Sequence, residues 1–197
     1  MKIKSKLELK NCLEQDAIAN WRDSIVPNFF GDEKWKFIVS MRKKNYYRSF
    51  SRMKKLLCII PIVLNKYYHH KLAIKCGYTI PDWSCEKGLA LPHRGTIVIN
   101  TSAHIGENCR IHEGVTIGAT SGSTKAASIG KNVFIGSGAK IIGEITIADD
   151  VAIGAGAVVV KSIQEAGTTW AGNPARKISE RNSHSNLAPG LFRFRHD

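Results

Sequence analysis

The chain has 197 residues, 43% of them hydrophobic and 23% charged, enough apolar material for one substantial core and too much for a disordered polymer. Lysine and arginine outnumber aspartate and glutamate 29 to 16, a formal net charge of +13, which favours polyanionic partners: nucleic acid, an anionic membrane, an acidic glycan or cofactor phosphates. The five cysteines (Cys12, Cys58, Cys76, Cys85, Cys109) are scattered and lack CxxC spacing, which excludes a zinc ribbon and a disulfide framework and fits a reducing cytoplasm.

Residues 1–76 read as an α-helical N-terminal region. The opening MKIKSKLELK has no apolar segment of the signal-peptide kind. Apolar residues then recur at helical intervals, first Leu7, Leu9, Leu13 and Ile18, later Met53, Leu56, Leu57, Ile60, Val63 and Leu64, which predicts two or three helices. The run Leu56–Leu64 is interrupted by Pro61 and too short to span a bilayer. Basic clusters at Arg42–Lys55 and Lys66–Lys75 are interleaved with Tyr46, Tyr47, Phe50, Tyr67 and Tyr68. That pattern suits a solvated or membrane-facing helix better than RNA, so no nucleic-acid partner is expected. It allows peripheral attachment at the inner membrane of a cytoplasmic protein.

Gly77, Pro81 and Gly88 punctuate a transition, beyond which Ile, Val, Gly and Ala dominate. Stepping by six from Ile99 gives Ile105, Ile111, Ile117, Ser123, Ile129, Ile135, Ile141, Ile147, Ile153 and Val159, all β-branched aliphatics except Ser123. A second register four residues later (Ala103, Cys109, Val115 and onward) is small or aliphatic almost throughout. A helix repeats its apolar residues every three or four positions and a half-buried strand every two. A strict six requires a triangular solenoid, each hexapeptide making one side and eighteen residues one coil. Gly118–Ser128 (GATSGSTKAAS) breaks the pattern without losing its phase. It reads as an excursion that either builds a binding surface or is a plain solvent loop. Residues 77–178 are the solenoid, and 179–197 a basic C-terminal tail.

These repeats, with GLALPHRGTIVIN (Gly88–Asn100), IHEGVTIG (Ile111–Gly118), IGAGAVVVK (Ile153–Lys161) and AGNPARKI (Ala171–Ile178), resemble the serine acetyltransferase-like branch of the hexapeptide acyltransferases. Within that branch they are most similar to bacterial capsule and exopolysaccharide O-acetyltransferases. The resemblance implies a left-handed parallel β-helix, an exception to the right-handed crossover rule. It also implies a homotrimer with shared sites, acetyl-CoA as co-substrate and no metal.

In the family, the histidine of a Gly-Leu-x-x-x-His segment is the general base, and His93 holds that place. An alcohol does not ionise at neutral pH, so its attack on a thioester needs a base that titrates near neutrality, and imidazole is that group. From the residues alone, His93 could equally be a turn histidine beside Pro92. His112 falls one coil on if the eighteen-residue frame extends back to His93, and with Glu113 and Arg94 it is a candidate acceptor contact; a solvent-facing role for it stays open. The resemblance places Ser137, Ala155, Val160, Lys161 and Arg176 at the CoA contacts, Lys161 and Arg176 toward phosphate. Corner packing alone would also account for Ser137 and Ala155.

Three departures from the serine enzymes stand out. Tyr78 lies where their upstream aspartate pairs with the base, leaving Asp82 or Glu113 to orient His93; Pro92 replaces the acidic residue beside it; and the helical N-terminus is short. The expected activity is therefore acetyl transfer to a hydroxyl of a capsule-type sugar, an anionic one suiting the basic surface, with serine as the alternative acceptor. Two other classes remain. A metal-dependent hydratase would have to draw on His93, His104 and His112, which show no close pair in sequence. A basic binding scaffold would leave GLALPHRGTIVIN unexplained.

Overall fold

The computed structural model describes residues 1–192; the basic Arg193–Arg195 cluster and His196 lie outside the described residues. Four helices come first, α1 (Lys6–Ala19), α2 (Glu33–Arg48), α3 (Arg52–Leu57) and α4 (Ile59–Cys76), one more than the apolar spacing predicts. The difference has a physical cause. The most buried helix is α2, where Trp35, Phe37, Ile38, Val39 and Met41 enter the core, and lysines interleaved among them mask the periodicity. The residues that do show a periodicity, Met53, Leu56, Leu57, Ile60, Val63 and Leu64, are all exposed.

From Tyr78 the chain winds into strands of two to four residues stacked into three sheets, parallel but for the closing Arg176–Ser179 strand. One side stacks Tyr78–Thr79, Ile97–Ile99, Thr116–Gly118, Lys140–Ile142 and Val158–Val159; the second runs from Arg110–Ile111 through Phe134–Ile135 and Ala152–Ile153 to Thr169–Ala171; the third joins His104–Ile105, Ser128–Ile129 and Thr146–Ile147. The fold is a parallel β-helix. The repeating aliphatics from Ile99 to Val159 point inward and are at most 2% exposed, each contributing about 1.5–3 kcal/mol by leaving water.

The pairing register shows how long each coil is. Ser128 faces Thr146 and Phe134 faces Ala152, steps of eighteen. His104 faces Ser128 and Arg110 faces Phe134, steps of twenty-four, so the Gly118–Ser128 excursion adds one hexapeptide. The first coil departs from eighteen: Cys85 faces Ile105 and Ala90 faces Arg110 at steps of twenty, while Val98 faces Thr116 at eighteen. Two extra residues therefore sit between Ala90 and Val98. The eighteen-residue frame does not extend back to His93.

Part of the expected C-terminal tail packs on the fold. Ser183, Leu187 and Ala188 are buried, and a 3-10 turn at Pro189–Leu191 packs on α1. No helix among the described residues is long and apolar enough to cross a membrane.

Helices and coil are locked together by a buried ion pair. Asp16 of α1 and Arg42 of α2 are 0% exposed and meet in two bonds of 2.7 and 3.0 Å. Arg42 also donates to the carbonyls of Cys85 and Glu86, each at 2.7 Å, and Asp16 accepts from the amides of Gly88 and Leu89 at 2.8 and 2.9 Å. Breaking such a pair leaves an uncompensated charge in the interior. Arg42→Met is thus expected to cost about 3–5 kcal/mol in urea unfolding, and a loss below about 1 kcal/mol, the scale of an exposed pair, would contradict this account.

A second buried group makes stability depend on pH. His69 of α4 stacks on Phe37 at 4.8 Å and meets the Ser40 hydroxyl at 3.0 Å. Burial, helped by the Lys44 charge, lowers its pKa from 6.5 to about 4. A histidine that binds its proton less well when folded contributes stability above its unfolded value, and that contribution fades as pH falls. The melting temperature should drop between pH 6.5 and about 4, and His69→Gln should flatten the drop. An equal slope in both proteins would assign the effect elsewhere.

Candidate active site

The two extra residues of the first coil fall where the sequence reads Leu91-Pro92-His93-Arg94-Gly95, and they push that turn outward. His93 is exposed at its tip. Three elements hold its backbone. From just past α1, the Asn20 side chain donates to the Leu89 carbonyl at 2.8 Å and accepts from the Leu91 amide at 3.1 Å, acting as a substitute strand. From α2, Lys34 donates to the Pro92 carbonyl. The Tyr78 hydroxyl donates to the His93 carbonyl at 2.5 Å. Tyr78, standing where the resemblance expects an aspartate, holds the main chain of His93 and not its ring.

Below the turn lie His112 and Glu113. One donor atom each of His93, His112 and Glu113 lie within 4.8 Å of one another, and the two imidazoles approach edge to face with centroids 5.3 Å apart. The close histidine pair that the sequence did not show is therefore present. His112 also packs on Phe134 at 5.1 Å. Its Nε2 accepts from Arg110 Nε at 3.1 Å, and its Nδ1 lies 3.4 Å from the Ser137 hydroxyl. Accepting at Nε2 leaves the proton of the neutral ring on Nδ1. Burial first, then the Arg110 charge and His93, lower the His112 pKa, which disfavours the charged ring.

Glu113 is the carboxylate at the site. A hydrogen bond with Ser137 and its own backbone amide, with both imidazoles adding, hold its carboxyl below the ordinary range. Its Oε2 is enclosed and has no partner. Of the two groups that could orient His93, Asp82 is fully buried and committed to Lys44 and Arg48, each at 3.3 Å. Glu113 is the one beside the base. Arg94 lies 3.9 Å from Glu33, at the rim. His104 is exposed on a different side of the triangle and takes no part.

His93, His112 and Glu113 are a donor set that could hold a metal ion, but the geometry weighs against it. The lone pair at His112 Nε2 already faces the Arg110 cation, which a metal would have to displace against like charge.

Ser137 and Ala155 stack on successive coils, with the Gly156 amide donating to the Ser137 carbonyl at 2.8 Å. The adjoining corner carries Gly114, Gly138 and Gly156, all at positive φ, and a Cβ on Gly156 would meet nothing within 4 Å. Glycine is needed there for the backbone conformation, and it leaves the wall open to a thin chain. Beyond the corner, Val160, Lys161 and Arg176 line a cleft of about 530 Å³ with Trp170 and Pro174. The five residues expected to touch CoA thus fall into two groups, Ser137 and Ala155 near the histidines and the other three in the cleft.

Sequence comparison agrees with this architecture. Residues 126–161 match the model of the bacterial transferase hexapeptide, six repeats. The chain is 46% identical over 105 residues to serine acetyltransferase 1, chloroplastic, of Arabidopsis thaliana, an alignment covering 52% of this chain and 33% of the relative. It is 35% identical over 121 residues to the serine acetyltransferase of Staphylococcus xylosus, covering 57% and 56%. The chain thus spans between a third and a little over half of these relatives. The crystal structure of serine acetyltransferase from Brucella abortus strain S19 superposes with a TM-score of 0.67 at 27% identity, over 90% of this chain and 72% of that one. The same enzyme in complex with coenzyme A gives 0.63 at 26%, over 88% and 67%. These names back serine as acceptor better than the capsule sugar.

The sequence reading missed Asn20, Lys34 and Arg110. The first two lie in a helical region with no repeat to frame them, and Arg110 looks like any outward residue of a hexapeptide. Arg110→Gln is expected to raise the His112 pKa, since it removes a cation from beside the ring. An NMR titration of the imidazole protons measures this, and an unmoved His112 curve would exclude the electrostatic role.

Proposed function

We propose that the protein is an acetyl-CoA-dependent O-acetyltransferase built on a left-handed β-helix, with His93 as general base. The observation that carries the proposal is the exposed imidazole of His93 set near Glu113, beside a corner of stacked positive-φ glycines. His93 takes the proton of the acceptor hydroxyl as its oxygen attacks the thioester carbonyl. The new C–O bond replaces the C–S bond, and the imidazolium returns the proton to the departing thiolate. Glu113 stabilises the imidazolium, and neutral His112 adds no charge against it. The acyl arm lies along Ser137 and Ala155, with Lys161 and Arg176 on the phosphates. From His93 to Ala155 is three coil steps, roughly 14 Å at about 4.8 Å per strand. A groove of this kind becomes enclosed when a second coil lies alongside, so the active form is a homotrimer.

The relatives support L-serine as acceptor, and Arg94 and Glu113 offer a cation and an anion to a zwitterion. A specific observation favours a second acceptor, a sugar hydroxyl: Pro92 and Tyr78 stand where the serine enzymes are expected to carry carboxylates, leaving Glu113 to serve the base. Labelled acetyl-CoA offered with L-serine and with capsule-type sugars separates the two, and the faster acceptor decides.

His93→Ala should lower transfer by a factor of about 10² to 10⁴, the usual worth of a positioned base, while CoA binding by calorimetry is retained. Turnover at the wild-type rate in that variant would sink the assignment.

A further inference from the structure

The helix α4 is apolar on two opposite sides, and the fold uses only one. Ile62, His69, Leu72 and Cys76 are buried against the rest of the protein. Turned away from them at helical spacing are Ile60, Val63, Leu64, Tyr67 and Ile74, with exposures of 71, 53, 62, 62 and 67%. The preceding α3 continues the patch with Leu56 and Leu57, 68 and 81% exposed. A row of large apolar side chains left in water along one helix face marks a docking face.

Its charge identifies the occupant. Between Glu33 and Asp82 the chain has twelve lysines and arginines and no acidic residue. Arg52, Lys54, Lys55, Lys66 and Lys71 flank the apolar residues and are exposed, and Lys71 lies over the Tyr67 ring at 5.5 Å. A second copy docked on this face would bring like charge against like charge. A nucleic acid would match the charge and leave the aliphatic stripe in water. An anionic bilayer surface satisfies both: aliphatic side chains sink below the headgroups, tyrosines lie at their level, and lysines reach up to lipid phosphates.

We propose that α3 and the exposed face of α4 form an in-plane docking surface for an anionic membrane. No helix among the described residues can cross the bilayer, so the attachment is interfacial and reversible. The proposal is independent of the reaction assigned to His93.

Co-sedimentation of the full-length protein with phosphatidylcholine vesicles, with or without phosphatidylglycerol, tests it. Binding should be at least tenfold stronger to the anionic vesicles and fall with added salt, as expected for several lysines each worth about a factor of five. Ile60→Ser with Leu64→Ser, and separately Lys54→Gln with Lys55→Gln, should each reduce it by roughly tenfold or more. All four positions are solvent-facing, and an unchanged melting temperature confirms that the variants are folded. Absence of binding to the anionic vesicles overturns the proposal, as does binding that the serine pair leaves intact. If light scattering without vesicles shows that the serine pair lowers the molecular mass, the face belongs to a second copy and the proposal also fails.

Discussion

The buried Asp16–Arg42 pair is the constraint on which the rest of the structure depends. A solenoid must end somewhere, and its last coil exposes unpaired backbone groups and one open end of its core. Here the first coil is the weakly patterned one, since Cys85 and Leu91 keep the six-residue step but two extra residues then break the phase before Val98. The pair supplies what the repeat does not. Arg42 takes the Cys85 and Glu86 carbonyls, Asp16 takes the Gly88 and Leu89 amides, and two helices are fixed on the coil's end by the same bonds. Burying two charges costs several kcal/mol per ion before their mutual attraction is counted. That cost is offset only because every charged atom finds a partner, so the pair selects a single arrangement of helices on coil.

How much of this was legible in the sequence follows from where a strict period exists. From Ile99 to Val159 each side of the triangle repeats its requirement, an inward aliphatic, and the sequence repeats with it. The added hexapeptide at Gly118–Ser128 was readable for the same reason, because phase survives a whole-unit insertion. The first coil was not, because its two surplus residues change phase and no later repeat corrects the count. In the helices the difficulty was direction. Periodicity reports that a helix has an apolar side without saying what that side faces, and α3 and α4 turn their regular stripe to solvent while the lysine-dotted α2 fills the core.

At the site, His93 could be named from its motif, and Glu113 was one of two carboxylates in question. Asp82 lies under α2 with two cations on it, whereas Glu113 lies near the His93 ring. The residues that could not be named are those that act on the main chain. Asn20, Lys34 and Tyr78 hold carbonyls and an amide, contacts that any polar side chain of suitable length can make and that carry no spacing signature.

The surplus in the first coil sets where the His93 ring stands, and the proposed role as base depends on it. In a strict coil, each residue of a corner sits directly on the one below, and a histidine above His112 would stack into the same packed column, half buried as His112 is. Two extra residues between Ala90 and Val98 lift the turn clear of that column. The ring then reaches solvent, while the main chain of the turn is held at Leu89 and Leu91 by Asn20, at Pro92 by Lys34 and at His93 by Tyr78. A general base needs both conditions: a nitrogen free to exchange its proton, and a position that is not renegotiated at each turnover. The insertion supplies the first, and the three side chains from the capping helices and the first strand supply the second. The N-terminal region is therefore part of the machinery that presents His93, as well as the cap that closes the coil.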